Sequence, residues 1–232
     1  MSFIANLKGR QALAKHQKGE LEQAKELYTE AIDKGTTNLN VYLSYSILLL
    51  KSGEYEKAKT LLVKAEKLPG VTPNNRQQIH MNYAVAAYKL GDIEKALSLL
   101  ERQHLRSPSG NIYGSLGVLY IEAGDKEKAL SFNQEALAYD DEDPIFLDNL
   151  GQTYYRLFHD KVTAKPYFEK ALEQKSTQID SLYFLAQYDI EEEKYSDAKE
   201  KLETALEGNP SPLNYATKAL IQASLSSIEN KE

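Results

Sequence analysis

The stretch "YGSLGVLY", residues Tyr113 to Tyr120, decides how this sequence is interpreted. It places an aromatic residue, a Leu-Gly pair and a second aromatic residue at helical spacing, and related stretches recur along the chain. A pattern that recurs at a fixed period predicts a repeat architecture, in which each copy buries its apolar face against its neighbours. The stretch therefore predicts a packing module rather than an isolated binding site.

The period is marked by an alanine inside phrases such as "EQAKELYTEA", residues 22 to 31. A second small residue follows this anchor alanine by seven residues in all copies but one, where Gln103 stands instead. Small side chains let two helix backbones approach closely, so the spacing predicts helix crossings at these positions. The anchors lie 34, 38, 33, 35 and 34 residues apart, at Ala24, Ala58, Ala96, Ala129, Ala164 and Ala198.

Apolar residues three, four and seven apart flank a turn that precedes each anchor by five residues. This pattern predicts two amphipathic helices joined by a tight turn. Glycine suits such a turn because a helix end often needs a positive φ. The turn residues are Gly19, Gly53, Gly91 and Gly124, with His159 and Glu193 in the last two copies. Helix starts are predicted at Asp92, Asp125, Asp143-Pro144 and Ser211-Pro212.

The chain resembles the tetratricopeptide repeat (TPR) family. "YGSLGVLY" followed by Ala129 matches the family pattern W-x-x-L-G-x-x-Y…A with Tyr113 in place of Trp, and "LDNLGQTY" with Ala164 matches again. The resemblance implies an all-α, right-handed superhelical solenoid of six helix-turn-helix repeats with a C-terminal capping helix. The expected repeats are residues 5–38, 39–72, 77–110, 110–143, 144–178 and 179–212, followed by the capping helix 213–228 and a frayed tail 229–232.

The sequence departs from the repeat pattern at three places, which lead to further structural predictions. "KLPGVTPNNR", residues 67–76, predicts a longer loop between the second and third repeats. Gln103 and Asn133 replace an alanine and an aromatic residue, which predicts weaker packing between the third and fourth repeats. "RLFHDKV", residues 156–162, holds one extra residue in the fifth repeat.

The composition argues against several functions. The formal net charge is -6 with both signs interleaved, so no basic stripe is available for nucleic acid. There is no cysteine, and none of the four histidines has a second histidine one helical turn away, so neither a metal nor another cofactor is expected. No catalytic motif stands in a plausible context, and a non-enzyme is expected. The longest apolar stretch is far below the roughly 20 residues of a membrane span, and the interpretation is a cytoplasmic protein without membrane insertion, a monomer or weak homo-oligomer.

The resemblance implies that the first helix of each repeat lines a concave groove. Its mixture of apolar and amide side chains suits an extended peptide, and the expected function is a protein-binding scaffold whose partner is a peptide or protein segment. The alternative is a ligand-responsive regulatory protein. The groove is expected to be basic in the first half and acidic in the second, where Asp148 and Asp180 lie. The candidate groove residues are Asn40, Leu43, Ile47, Gln78, Met81, Asn82, Tyr88, Asn111, Asp148, Asn149, Gln152, Tyr155, Asp180, Tyr183 and Gln187.

Overall fold

The computed structural model describes residues 3–229, which form α-helices and one π-helical turn and contain no strand. Consecutive helices pair through the short turns that the glycine spacing predicts. The helices are α1 Phe3–Gln17, α2 Leu21–Asp33, α3 Leu39–Lys51, α4 Tyr55–Glu66, α5 Pro73–Lys89, α6 Ile93–Arg106, α7 Gly110–Ala123, α8 Lys126–Tyr139, α9 Pro144–Gln152, α10 Lys161–Gln174, α11 Ile179–Glu191, α12 Tyr195–Glu207 and α13 Lys218–Glu229, and the π-helical turn is Thr153–Phe158.

The chain divides into two compact units, Met1–Gln103 and His104–Glu232, and the division falls in the last turn of α6. In unit 1, one apolar core surrounds Tyr28 and is formed by α1, α2 and α3. A second core surrounds Leu62 and is formed by α3, α4 and α5. In unit 2, a core built around Phe168, Phe184 and Leu202 joins α10, α11 and α12 to α13. Each unit therefore has an apolar interior of its own.

The anchor alanines lie at close helix crossings, as their period predicts. Ala24, Ala58, Ala96, Ala129, Ala164 and Ala198 are all fully buried. The small residue at position 151 shows how close the approach is, because a Cβ added to Gly151 would lie 2.7 Å from Cε1 of Phe168. A larger side chain at such a position has to displace a ring that is itself buried.

The positive φ predicted for the turn glycines is confirmed. Gly19, Gly53, Gly91 and Gly124 have φ between 75° and 88°. His159 and Glu193, which replace glycine in the last two repeats, adopt the same left-handed backbone with φ of 57° and 58°. The position therefore requires positive φ whichever residue occupies it.

Three of the four predicted helix starts are capped by their aspartates. The side chain of Asp92 accepts the Lys95 N–H at 3.1 Å, and Asp125 accepts that of Lys128 at 3.1 Å. Asp143 accepts the Ile145 N–H at 2.7 Å, with Pro144 in the first helical position. These contacts satisfy N–H groups that the first turn of a helix leaves without partners.

The start predicted at Ser211-Pro212 is wrong, since no helix begins there. The closing helix α13 begins at Lys218, five residues after the predicted boundary at Leu213, and ends at Glu229. Residues 213–217 form an irregular segment in which two backbone N–H groups bond to a side chain of α11. Apart from Glu229, the predicted frayed tail 229–232 lies outside the described residues.

The two predicted irregularities in chain length are absorbed in different ways. Part of the 67–76 insertion extends the following helix, because Thr72 and Asn75 form a reciprocal capping box around Pro73 and start α5 four residues before the expected repeat boundary. The extra residue of the fifth repeat is accommodated by the π-helical turn Thr153–Phe158. A π-helical turn takes up one additional residue without ending the helix.

Candidate peptide-binding surface

The part of the predicted groove in unit 1 is formed by α3 and α5. Ile47 on α3 is 37% exposed, and Leu43 lies half-buried one turn before it. Gln78, Met81 and Tyr88 on α5 are half-buried, and Asn40 at the start of α3 is exposed. We define these six residues as the unit 1 surface. Spacings of three and four residues on α3, and of three and seven residues on α5, place them in one row on each helix.

Asn82 belongs to the same predicted groove but has a structural task. Its Nδ2 donates to Oγ of Ser46 at 3.0 Å, which ties α5 to α3. Its Oδ1 accepts from Nε2 of Gln78 at 2.9 Å, and the residue is buried. The amide therefore holds the two helices in register, and only its neighbours in the rows are open to a partner.

The predicted groove residues of unit 2 are mostly inside the protein. Asn111 is exposed, whereas Asn149 is buried and donates to the carbonyl oxygen of Gly114 at 3.0 Å. Asp148, Gln152 and Asp180 are buried as well. Unit 2 thus uses most of its first-helix polar side chains for contacts within the chain.

Asp148 and Asp180 lie in one buried hydrogen-bond network. Nε2 of Gln152 donates to Oδ2 of Asp148 at 2.7 Å and to Oδ2 of Asp180 at 3.3 Å. The Ser181 hydroxyl donates to Oδ1 of Asp148 at 2.5 Å. Burial and then the nearby Asp180 charge raise the pKa of Asp148 to about 8. Burial also raises the pKa of Asp180, and the donors around its carboxylate oppose that shift.

This burial corrects the expected charge pattern of the groove. The sequence predicts that Asp148 and Asp180 form part of an acidic groove surface. Both residues are at most 3% exposed, so their carboxyls do not form such a surface. Replacing both by lysine would bury two ammonium groups side by side and is expected to destabilise the fold.

The irregular segment 213–217 covers the Asp180 carboxylate. The N–H groups of Tyr215 and Ala216 donate to its two oxygens at 3.1 and 2.9 Å, and Nδ2 of Asn214 donates at 2.9 Å. The Tyr215 ring stacks on Phe184 with centroids 5.2 Å apart. The segment therefore lies along the first-helix face of unit 2.

Arg156 completes this arrangement from the π-helical turn. Its Cζ lies 4.2 Å from the centroid of the Tyr215 ring, a cation–π distance. Its Nη1 is 2.7 Å from Oε1 of Glu122 and 3.0 Å from Oε1 of Gln152. The guanidinium thus joins α7, the end of α9 and the 213–217 segment.

The three remaining candidates also contact their own chain. The Tyr155 ring lies 4.9 Å from Phe184, and the Tyr183 ring lies 6.0 Å from Tyr215. The amide of Gln187 reaches the Ser224 hydroxyl of α13 at 3.5 Å. In unit 2 the closing segment and α13 therefore cover much of the face that the sequence predicts to be a groove.

Sequence reasoning missed the segment 213–217 as part of the site. Arg156 is likewise absent from the candidate groove residues. No local sequence signal reveals the segment, because the carboxylate that binds its N–H groups belongs to Asp180, more than 30 residues earlier.

Two general features of the described residues bear on function. Within residues 3–229, no three His, Asp or Glu side chains gather in a way that could hold a metal ion. Over the same range, none of the helices has the length and apolar character needed to cross a membrane.

Comparison with known proteins agrees with the fold and the repeats. Three tetratricopeptide repeat models match residues 15–68, 43–112 and 112–145, which together span more than half of the chain. No curated protein matches the chain in sequence.

Solved structures share the fold. MamA (41-end) from Desulfovibrio magneticus RS-1 is 24% identical with a TM-score of 0.61, covering 77% of this chain and 98% of that one. A thermophilic TPR protein of Thermus thermophilus is 19% identical with a TM-score of 0.66, covering 83% and 99%. PilF of Pseudomonas aeruginosa is 14% identical with a TM-score of 0.60, covering 99% and 98%. The predicted fold class is confirmed, and the chain belongs to the tetratricopeptide repeat family.

Proposed function

We propose that this protein is a non-catalytic adaptor that binds an extended segment of another protein on the unit 1 surface. Membership of the TPR family supports a general protein-binding role. The observation that carries the proposal is the apolar exposure along the two rows on α3 and α5, in which Ile47 is 37% exposed and Leu43 and Met81 are half-buried. Unit 2 offers fewer open positions on its first helices.

The chemistry of the unit 1 surface fits an extended peptide. Such a peptide presents main-chain N–H and C=O groups together with side chains that alternate in direction. The amides of Asn40 and Gln78 can bond to the main chain, and the apolar row can accept alternate side chains. Lys51 and Lys89 end the same two helices, so acidic groups near that end of the partner would speed association.

The test is selection of binding peptides from a displayed library of natural protein segments, followed by affinity measurement with purified variants. Ile47→Asp with Met81→Asp places two charges on the unit 1 surface and is expected to weaken the selected peptides by about tenfold or more. Val63→Asp on α4 is the matched control. Val63 is 43% exposed, and α4 is the second helix of its repeat and carries no residue of the unit 1 surface.

The control decides the outcome. Equal loss in both variants, or loss in Val63→Asp alone, would place binding elsewhere and contradict the proposal.

The ligand-responsive regulator stays the alternative prediction, and the cytoplasmic location and the monomeric or weakly oligomeric state stay predictions as well.

A further inference from the structure

The segment 213–217 is a bent turn that packs like a bound peptide loop, with the Asn214 N–H bonded to Ser211 O and the Thr217 N–H bonded to Tyr215 O. Its backbone N–H groups at Tyr215 and Ala216 donate to a carboxylate of α11, 35 and 36 residues away in sequence. Its one aromatic ring lies against Phe184 on one element and Arg156 on another. Recognition of main-chain groups combined with contacts to one anchoring side chain is a general way in which folded domains hold peptide segments.

The receptor side of this contact is already organised. Asp180 is held by Nε2 of Gln152 in addition to the donors of the segment, and Arg156 is held by Glu122 and by Oε1 of Gln152. A carboxylate and a guanidinium held by neighbouring groups lose little freedom when a ligand arrives. The site is therefore oriented by contacts that do not depend on the segment.

The segment is held less completely than the core beneath it. The Tyr215 ring is 37% exposed, whereas Phe184 beneath it is 2% exposed. Leu213 and Asn214 are half-buried, and only Ala216 is fully covered. Exposed edges of this kind give an incoming chain a place to begin exchange.

We propose that the face of unit 2 formed by Asp180, Phe184 and Arg156 is a receptor for a turn-forming, tyrosine-bearing protein segment, and that residues 213–217 fill it in cis. A partner of the same chemistry has to displace the chain's own segment. The inference rests on the proposed function only in taking the occupant to be a protein segment, since it concerns a different unit and different residues.

The contacts define the partner's chemistry. The cis segment supplies three of the donors to the Asp180 carboxylate, so a partner that takes its place has to supply equivalent donors to bind as well. Two consecutive backbone N–H groups satisfy that need, and neither can come from proline. The partner therefore carries a tyrosine at the place of Tyr215. The residue that follows this tyrosine is not proline.

The experiment uses a fluorescent synthetic peptide with the sequence of residues 209–219, "NPSPLNYATKA", titrated into the full chain and followed by anisotropy. Asn214→Ala with Tyr215→Ala weakens the cis segment. The peptide is expected to bind this variant about tenfold or more tightly than the wild type, in which the site is filled. Tyr139→Ala, which removes another exposed tyrosine of unit 2, serves as the matched control and should behave as the wild type.

Two altered peptides test the chemistry without touching the fold. Replacing the peptide's tyrosine by alanine, or its following alanine by proline, is expected to abolish the gain in affinity. Far-UV circular dichroism checks that each protein variant is folded, and Tyr215→Leu, which keeps an apolar contact with Phe184, is the milder second variant for the same titration.

The outcomes separate this inference from the proposed function. Binding that is equal in wild type and variants, absent from all of them, or insensitive to both peptide changes would overturn it. Adding Ile47→Asp and Met81→Asp should leave this titration unchanged, so a failure of the unit 1 proposal and a failure here are seen independently.

Discussion

Replacing Asp148 by asparagine is expected to change how the folding stability of this protein depends on pH. The Asp148 carboxyl is buried beside Asp180, and its pKa is raised from 3.8 to about 8. In the folded protein the pair therefore keeps a proton that the unfolded chain has released. Asparagine has nearly the same shape, can accept from Gln152 with its oxygen and can donate to the Ser181 hydroxyl.

The sign and the size follow from proton linkage. Because the folded pKa lies above the unfolded one, this contribution to stability is fully present below about pH 4 and is lost as the pH rises through about 8. Between those limits the folded state binds one proton more than the unfolded state. Each unit by which the pH rises therefore lowers the free energy of unfolding by about 1.4 kcal/mol. The asparagine side chain holds no such proton. The free energy of unfolding of Asp148→Asn should therefore rise relative to that of the wild type by up to about 3 kcal/mol between pH 5 and pH 7.

The assay is urea unfolding followed by circular dichroism at several pH values from 5 to 8, for the wild type and Asp148→Asn. Asp141→Asn, an exposed carboxylate in the loop before α9, controls for the loss of one charge. Stability curves of wild type and Asp148→Asn that stay parallel across this range would refute the reasoning, because they would show that the buried pair holds no extra proton.

Two substitutions and one hydrogen-exchange measurement test the packing. Ala198→Leu should lower the free energy of unfolding by about 1 to 3 kcal/mol, because the site is fully buried, whereas Glu200→Leu on the exposed side of α12 should be nearly neutral in the same urea assay. Gly151→Ala should destabilise by a similar ~1 to 3 kcal/mol because of the Phe168 ring; a gain in stability, usual for Gly→Ala within a helix, would contradict the close approach. Hydrogen exchange is expected to be faster at residues 103–133 than in the second repeat. Uniform protection would show that Gln103 and Asn133, which depart from the repeat pattern, do not weaken the packing between helices.

The repeats, the helix pairs and the small residues at the crossings could be predicted from sequence because they depend on local and periodic features. Each anchor alanine repeats the same contact one period later, so six weak signals reinforce one another. The left-handed turns follow for the same reason, and even His159 adopts the backbone that its position in the period requires. The open residues of the unit 1 surface, such as Ile47, were also among the candidates named from the sequence.

The candidate site of unit 2 was decided by tertiary structure. Spacing along a helix says which face Asp148 and Asp180 occupy, but their burial depends on what packs over that face. The segment 213–217 looks helical in sequence, yet the Asp180 carboxylate, more than 30 residues earlier, accepts its N–H groups and stops the helix from starting there. A buried carboxylate needs those donors more than a short exposed turn of helix needs its own bonds, and only the three-dimensional contact reveals that competition.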